Sequence, residues 1–470
     1  MPEPRLFDTL SREIRPLAPL DGRVFRIYCC GPTVYGPAHI GNFRTFVVQD
    51  VLRRVVEAGG VPTLHVRNIT DVDDKTIRDS QAAGMKLAEF TDLWARKFHA
   101  DCAALNLLPP HVEPGAVAHI PQQIRMIEIL IERGHAYAAA DGSVYFKVAS
   151  FPAYGRLSHL EDRELRLGAA SSGEANSADE YGKDTLADFA LWKARKPEDG
   201  ENHWPSPWGP GRPGWHLECS AMIQEYLGSD FDLHSGGVDL VFPHHENEIA
   251  QSCCATGGGF ARHWFHITHL MVDGGKMSKS LGNLHTLEDL AAKGFTAAEV
   301  RYTLIGAHYR QPLNFTMNSL EAARSALQRL AKSAAALHTA AAGASIAPQG
   351  PGPFAAAWEM LNDDLNVPGA LGSLFGALNS LKPAAMAPND AAAALGGLHF
   401  LLDALGLVLP DLPEATVEEA PESVRELAER RWQAKQARDW AAADALRFEI
   451  EAAGWLVKDS KTEYQLVRKA

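Results

Sequence analysis

The pattern of apolar and polar positions changes character several times along the chain. The run VFRIYCC at 24–30 is apolar and rich in β-formers, which predicts a strand buried on both faces. It breaks into the Gly/Pro loop GPTVYGPAHIGNFR. Next, TFVVQDVLRRVVEAG carries apolar residues at helical spacing up to a stop at Gly59 and Gly60. PTLHVRNIT at 62–70 reads as a second strand. Strand, loop, helix and strand make a βαβ unit, hence a parallel sheet with a ligand crevice at its strand ends.

A helical pattern follows over roughly 90–134, and from about 122 to 213 the periodicity becomes irregular. Within that stretch, LGAASSGEANSADEYGK at 167–183 reads as a surface loop. Order returns with GWHLECSAMIQEYLG, DLHSGGVDLVF and HHENEIAQSCCATG, read as helix, strand and helix, so a second α/β half is expected. Residues 319–409 are Ala- and Leu-rich and helical, interrupted by the linker AAAGASIAPQGPGP. A further linker, PDLPEATVEEAPES, precedes a small module of helix and hairpin.

Composition changes this picture little. The 470 residues are 46% hydrophobic and 22% charged, ordinary globular values. Six cysteines, unevenly spaced, make no disulfide framework and point to a reducing cytoplasm. The N-terminal residues lack the apolar core of a secretory signal, and no run reads as a membrane span. A net charge of −13 argues against a generally basic nucleic-acid binder. Residues 425–470, however, hold ten Lys and Arg against eight Asp and Glu, and a nucleic-acid partner needs only a local basic face.

Three constellations carry chemistry. In PAHIGN, His39, Gly41 and Asn42 sit where the loop enters a helix. Unpaired backbone N–H groups and the positive end of the dipole favour phosphate there. The same residues also make an ordinary helix cap. In DGGKMSKSLGN, Lys276 and Lys279 place two charges on a short loop, with Ser278 and Ser280 as donors, suited to closing over a polyphosphate. The third is soft: His244 and Glu248 are four apart on a helix starting at Pro243, Cys219 lies in WHLECS, and Cys30 ends the first strand. Two thiolates, an imidazole and a carboxylate make a tetrahedral zinc set, with His245 or Cys253 as substitutes.

Five blocks in order, CGPTVYGPAHIGN, RNITDVDDK, RPGWHLECSAM, DLHSGGVDLVFPHHENEIAQS and KMSKSLGN, resemble the bacterial cysteinyl-tRNA synthetases, a class I aminoacyl-tRNA synthetase family. The resemblance runs from about residue 6 to the C-terminus. It implies an α/β fold: a Rossmann-like parallel-sheet catalytic domain with an inserted domain, then a helical bundle and a small C-terminal α+β module. The implied boundaries are 1–121 and 214–262 for the two catalytic halves, 122–213 for the insertion, 263–318 for the KMSKS-bearing region, 319–409 for the tRNA-binding bundle and 421–470 for an anticodon-binding module.

The resemblance also implies roles. His39, Ile40, Gly41 and Asn42 match the family's HIGH signature, with Asn in the last place donating without charge. Lys276 to Ser280 match KMSKS, Lys279 being the ATP-contacting lysine, and Asn283 continues the match. His39, Gly41, Asn42, Lys276, Ser278 and Lys279 would bind ATP, with His39, Asn42, Lys276 and Lys279 stabilising charge in catalysis. Zinc ligands map to Cys30, Cys219, His244 and Glu248. Gly31, Thr33, Thr70 and Trp215 would line a cysteine pocket. Implied partners are ATP with Mg2+, L-cysteine and tRNA(Cys), with no membrane and a monomeric chain. Relatives that ligate cysteine to an amino-sugar resemble the catalytic half alone. The helical region and C-terminal module, with Trp432, Trp440 and Trp455 available to pack or stack, favour tRNA.

Overall fold

The computed structural model describes residues 2–160, 188–277, 282–347, 350–412, 420–459 and 464–468. The 167–183 stretch, Ser278, Lys279 and Ser280 lie outside the described residues.

The chain divides into two compact units, Met1–Pro410 and Asp411–Ala470. At the centre of the first is a four-stranded parallel sheet of β1 (Phe25–Cys29), β2 (Thr63–Arg67), β3 (Phe231–Gly237) and β4 (Ala261–Ile267), in the order β4-β3-β1-β2. The βαβ unit read from the sequence is β1, helix α1 (Ile40–Ala58) and β2. One face of the sheet packs on α1, where Ile27, Cys29, Val47, Val51 and Val55 share a core. The other face packs on α2 (Trp215–Tyr226), where Tyr28, Cys30, Val66, Cys219 and Met222 cluster. Because successive side chains on a strand point to opposite faces, adjacent Cys29 and Cys30 enter different cores.

The stretch 122–213, irregular by periodicity, is ordered in its described part. The helix Ile120–Glu132 leads into an antiparallel four-stranded sheet of Ala136–Ala138, Val144–Phe146, Phe189–Ala194 and Gly211–Pro213. Three of these strands have only three residues, too short for a period-two signal. The helix expected to start at Pro243 also differs. Val241–His245 form a wide turn, with Phe242 in an extended conformation, and α3 proper spans Glu246–Thr256.

Long helices, Met317–Ala341, Val367–Ser380 and Pro388–Leu405 among them, complete the first unit. Two buried arginines link the sheet layer to the helix Ala297–Leu304 and to the end of Pro388–Leu405. Arg44 on α1 donates to the carbonyls of Thr268, Leu304, His308 and Gln311. Arg301 donates to Asp50 at 2.6 Å and to the carbonyls of Leu105 and Leu405. The second unit pairs the helices Glu422–Gln436 and Trp440–Ala452 with the hairpin Trp455–Asp459 and Tyr464–Arg468. There Trp455 is core, Trp432 packs at a tilt beside Tyr464, and Trp440 is 59% exposed. Among the described residues no helix is long and apolar enough to cross a membrane.

Candidate active site and metal centre

Two loops meet at the N-terminus of α1. His39 is its N-cap: Nδ1 accepts from the Asn42 backbone N–H at 3.3 Å, and the Asn42 side chain accepts from the His39 N–H at 3.1 Å. A Nδ1 that accepts leaves the ring proton on Nε2, which is then a donor. The first turn carries no acidic residue, so nothing there opposes an incoming anion. The strand Gly275–Lys276 carries the start of the second loop. A Cβ on Gly41 would lie 2.4 Å from the Met277 methyl, so only glycine lets Met277 sit against α1. Beyond the second loop, His285 accepts from the Ile40 N–H at 2.9 Å, and Thr286 pairs with His39. His39, Gly41, Asn42 and the backbone entering KMSKS are therefore neighbours.

The sheet ends supply a second constellation. Cys30 lies one residue past β1 and still donates its N–H to the Ser235 carbonyl at 3.1 Å. Cys219 comes from α2, His244 from the wide turn and Glu248 from the first turn of α3. One donor atom from each of the four lies within 4.8 Å of all the others. The His244 Nε2 is 3.1 Å from the Glu248 carboxylate, and the Cys30 thiol is 3.9 Å from it. All four side chains are buried, and a set of two thiols, one imidazole and one carboxylate fits a soft, tetrahedral divalent ion. Cys253, half-buried on α3, belongs to no donor group among the described residues.

In the metal-free cluster Cys219 and Glu248 are held in their anionic, ligand forms, whereas His244 and Cys30 keep their protons and would have to release them to a metal. Burial raises the Cys219 thiol, but hydrogen bonds with Cys30 and His244 outweigh it and bring the group down to about 6. Burial would neutralise His244, yet Glu248 and Cys219 push it up to about 10. Glu248 resists burial through His234 and His244 and falls to about 2. Burial pushes the Cys30 thiol upward. The protonated His244 balances part of this negative charge, and a divalent ion would displace its proton and take over that role.

Of the predicted pocket residues, Trp215 meets this cluster directly and Gly31 follows Cys30 in the chain. Trp215 lies against His244 with ring centroids 4.4 Å apart and planes tilted by 35°. Thr33 and Thr70 form a parallel bridge. A Cβ on Gly31 would lie 1.6 Å from the Asn68 carbonyl oxygen, so the strand end can pass there only as glycine. The Gly31 N–H donates to Asn68 at 2.8 Å, Asn68 donates to the Thr70 hydroxyl at 3.1 Å, and Thr70 donates to buried Glu218. Periodicity and spacing missed this relay, and they missed His216, His234 and His266, while His245 enters from the sequence only as a substitute ligand. His216 meets His244 at 2.9 Å, His234 meets Glu248 at 2.9 Å, and His245 meets His266 at 2.8 Å. These imidazoles come from separate strands, a helix and a turn, so no spacing in the sequence joins them. An excess of histidine between 216 and 266 was the one available signal.

Comparison with known proteins follows the same lines. The tRNA synthetases class I (C) catalytic domain family matches residues 16–325. The cysteine-tRNA ligase of Opitutus terrae is 55% identical, with 98% of each chain covered. That of Chlamydia pneumoniae is 45% identical over 93% of this chain and 92% of its own. Among solved structures, Mycobacterium tuberculosis methionyl-tRNA synthetase in complex with methionyl-adenylate superposes with a TM-score of 0.56. It covers 82% of this chain and 89% of its own at 13% identity, a likeness of fold alone. With the catalytic-domain match and near-complete alignment to those two ligases, the chain belongs to the cysteine-tRNA ligase family of class I tRNA synthetases.

Proposed function

We propose that this protein joins L-cysteine to the 3′ end of tRNA(Cys) at the expense of ATP, through a cysteinyl-adenylate. What carries the reading is one juxtaposition: a soft donor cluster at the sheet ends of a catalytic domain shared with cysteine-tRNA ligases. Cysteine's carboxylate would attack the α-phosphate of ATP, and pyrophosphate would leave. The terminal ribose hydroxyl of tRNA would then displace AMP from the adenylate.

Neither step needs a covalent enzyme intermediate, so positioning and charge stabilisation suffice. The His39 Nε2–H, the α1 N-terminus and Asn42 would hold phosphate oxygens. Lys276 and Lys279 would neutralise charge on the departing pyrophosphate. Mg2+ would accompany ATP, and the chain would act as a monomer in the cytoplasm.

Selection against serine is the harder task, because a steric pocket discriminates weakly between near-isosteres. Cys30, Cys219, His244 and Glu248 would hold a zinc ion, flanked by Gly31, Thr33, Thr70 and Trp215. When bound, zinc supplies a soft Lewis acid that takes thiolate in preference to a hydroxyl. Thr70 and Trp215 would orient the rest of the amino acid.

The test is cysteine-dependent exchange between pyrophosphate and ATP, run with wild type and Lys279→Ala. Loss of one charge stabiliser should slow adenylate formation by roughly 10²–10³-fold while cysteine binding is little changed. Equal loss in both, or exchange that does not need cysteine, would sink the assignment. Metal-free protein that still prefers cysteine over serine by the same factor would sink the role of zinc.

A further inference from the structure

The metal-ligating side chains form two overlapping groups. Cys30 and Glu248 belong to both: one group adds Cys219 and His244, the other His234 and His245. We propose that Cys30, His234, His245 and Glu248 form a second seat for the divalent ion, deeper than the first and sharing its Cys30–Glu248 edge. The inference rests on reading Cys30, Cys219, His244 and Glu248 as a metal site.

Geometry is the first support. Zinc bonds of about 2.0–2.3 Å put tetrahedral donors roughly 3.3–3.8 Å apart. Here the Cys30 thiol is 3.3 Å from the His245 Nε2 and 3.9 Å from the Glu248 Oε1, and His245 is 4.0 Å from the same oxygen. The His234 Nε2 is hydrogen-bonded to the other Glu248 oxygen at 2.9 Å, so this edge would open and the 3.9 and 4.0 Å edges would close slightly around an ion.

The second support is orientation. Ligating imidazoles are held by a hydrogen bond at the far ring nitrogen. The His245 Nδ1 meets the His266 Nε2 at 2.8 Å, and the His266 Nδ1 meets the Thr9 hydroxyl at 2.7 Å. The His234 Nδ1 has no such bond among the described residues, and that ring is held instead by stacking on Trp264, with centroids 4.9 Å apart and planes 16° from parallel.

Charge is the third. One thiolate, one carboxylate and two neutral imidazoles balance a divalent cation. Two thiolates, one carboxylate and one imidazole leave a net negative charge. Inside a fully buried site the neutral assembly avoids the larger desolvation cost. His234 and His245 are each 0% exposed against 1% for Cys219 and 2% for His244, and His244 adjoins half-buried Trp215. The deeper seat would hold the ion when Cys219 and His244 release it, keeping it from being lost to solvent.

The experiment loads full-length protein with Zn2+ alone, then counts metal per chain and imidazoles around it by X-ray absorption. Wild type should hold zinc. Cys219→Ser/His244→Gln, which removes the first seat, should still hold about one ion, now with two imidazoles. Adding His234→Gln and His245→Gln to that variant should abolish retention. A metal-free Cys219→Ser/His244→Gln protein beside a metal-loaded wild type overturns the second seat and spares the first. A metal-free wild type overturns the metal reading itself. Should the double variant fail to fold, Cys219→Ser alone decides: two imidazoles support the deeper seat, and one rejects it.

Discussion

Two adjacent thiols show how much one backbone step decides. Cys29 is buried among Ile27, Val47 and Val51 on the α1 side, and burial pushes it up to about 12. Cys30 is buried on the α2 side, within reach of Glu248 and His245. Cys30→Ser should therefore lose bound zinc and cysteine selectivity. Cys29→Ala should keep both and lose stability only, by about 1–2 kcal/mol for a small buried group. Metal analysis and thermal melts of the two variants check this; equal metal loss in both would contradict it. The opposite directions of the two side chains followed from strand alternation alone. The partners of Cys30 did not, because Cys219, His244 and Glu248 are brought in from positions roughly two hundred residues away.

At the scale of elements, the long periodic segments were readable and the short ones were not. Helix α1 was legible from its apolar spacing and its glycine stop, and His39 and Asn42 from their place at its start. Their reciprocal capping appears only once the backbone turns there. The three-residue strands within 122–213 escaped because their pairing, not their pattern, defines them.

Strand β2 gives a pH prediction. His65 is buried with no hydrogen-bond partner for either ring nitrogen among the described residues, and burial, with Arg67 and Arg53 nearby, holds it well below 6.5. Below about pH 6.5 the unfolded chain takes a proton that the folded chain refuses. Its contribution to stability is therefore full above that pH and falls below it, by up to about 1.4 kcal/mol per pH unit. His65→Leu should remove one proton's worth of that slope in denaturation curves between pH 7.5 and 5.5. An unchanged slope would refute it.

Across the whole molecule, Arg44 and Arg301 make the helices of the first unit continuous with the sheet that bears the donor cluster. The second unit holds its own small core of Val424, Ala428, Ile450 and Trp455. A chain ending at Pro410 should therefore fold and keep cysteine-dependent pyrophosphate exchange at close to the full rate, while losing most tRNA charging. Loss of exchange in a folded truncation would show that the second unit serves adenylate formation as well.

The sequence by itself determined what local physics can carry. It specified the βαβ unit, the capped phosphate-facing helix start, the opposite faces of Cys29 and Cys30, and, through ordered motifs, the family and its chemistry. Tertiary structure alone decided how the soft donors converge. It seated Met277 against Gly41 and threaded Gly31 past Asn68. It also brought His234 and His245 to Glu248, completing a second donor set, and set His216 and His266 behind His244 and His245. Contacts between residues far apart in the chain depend on how elements pack, and no periodicity along a single strand or helix encodes that packing.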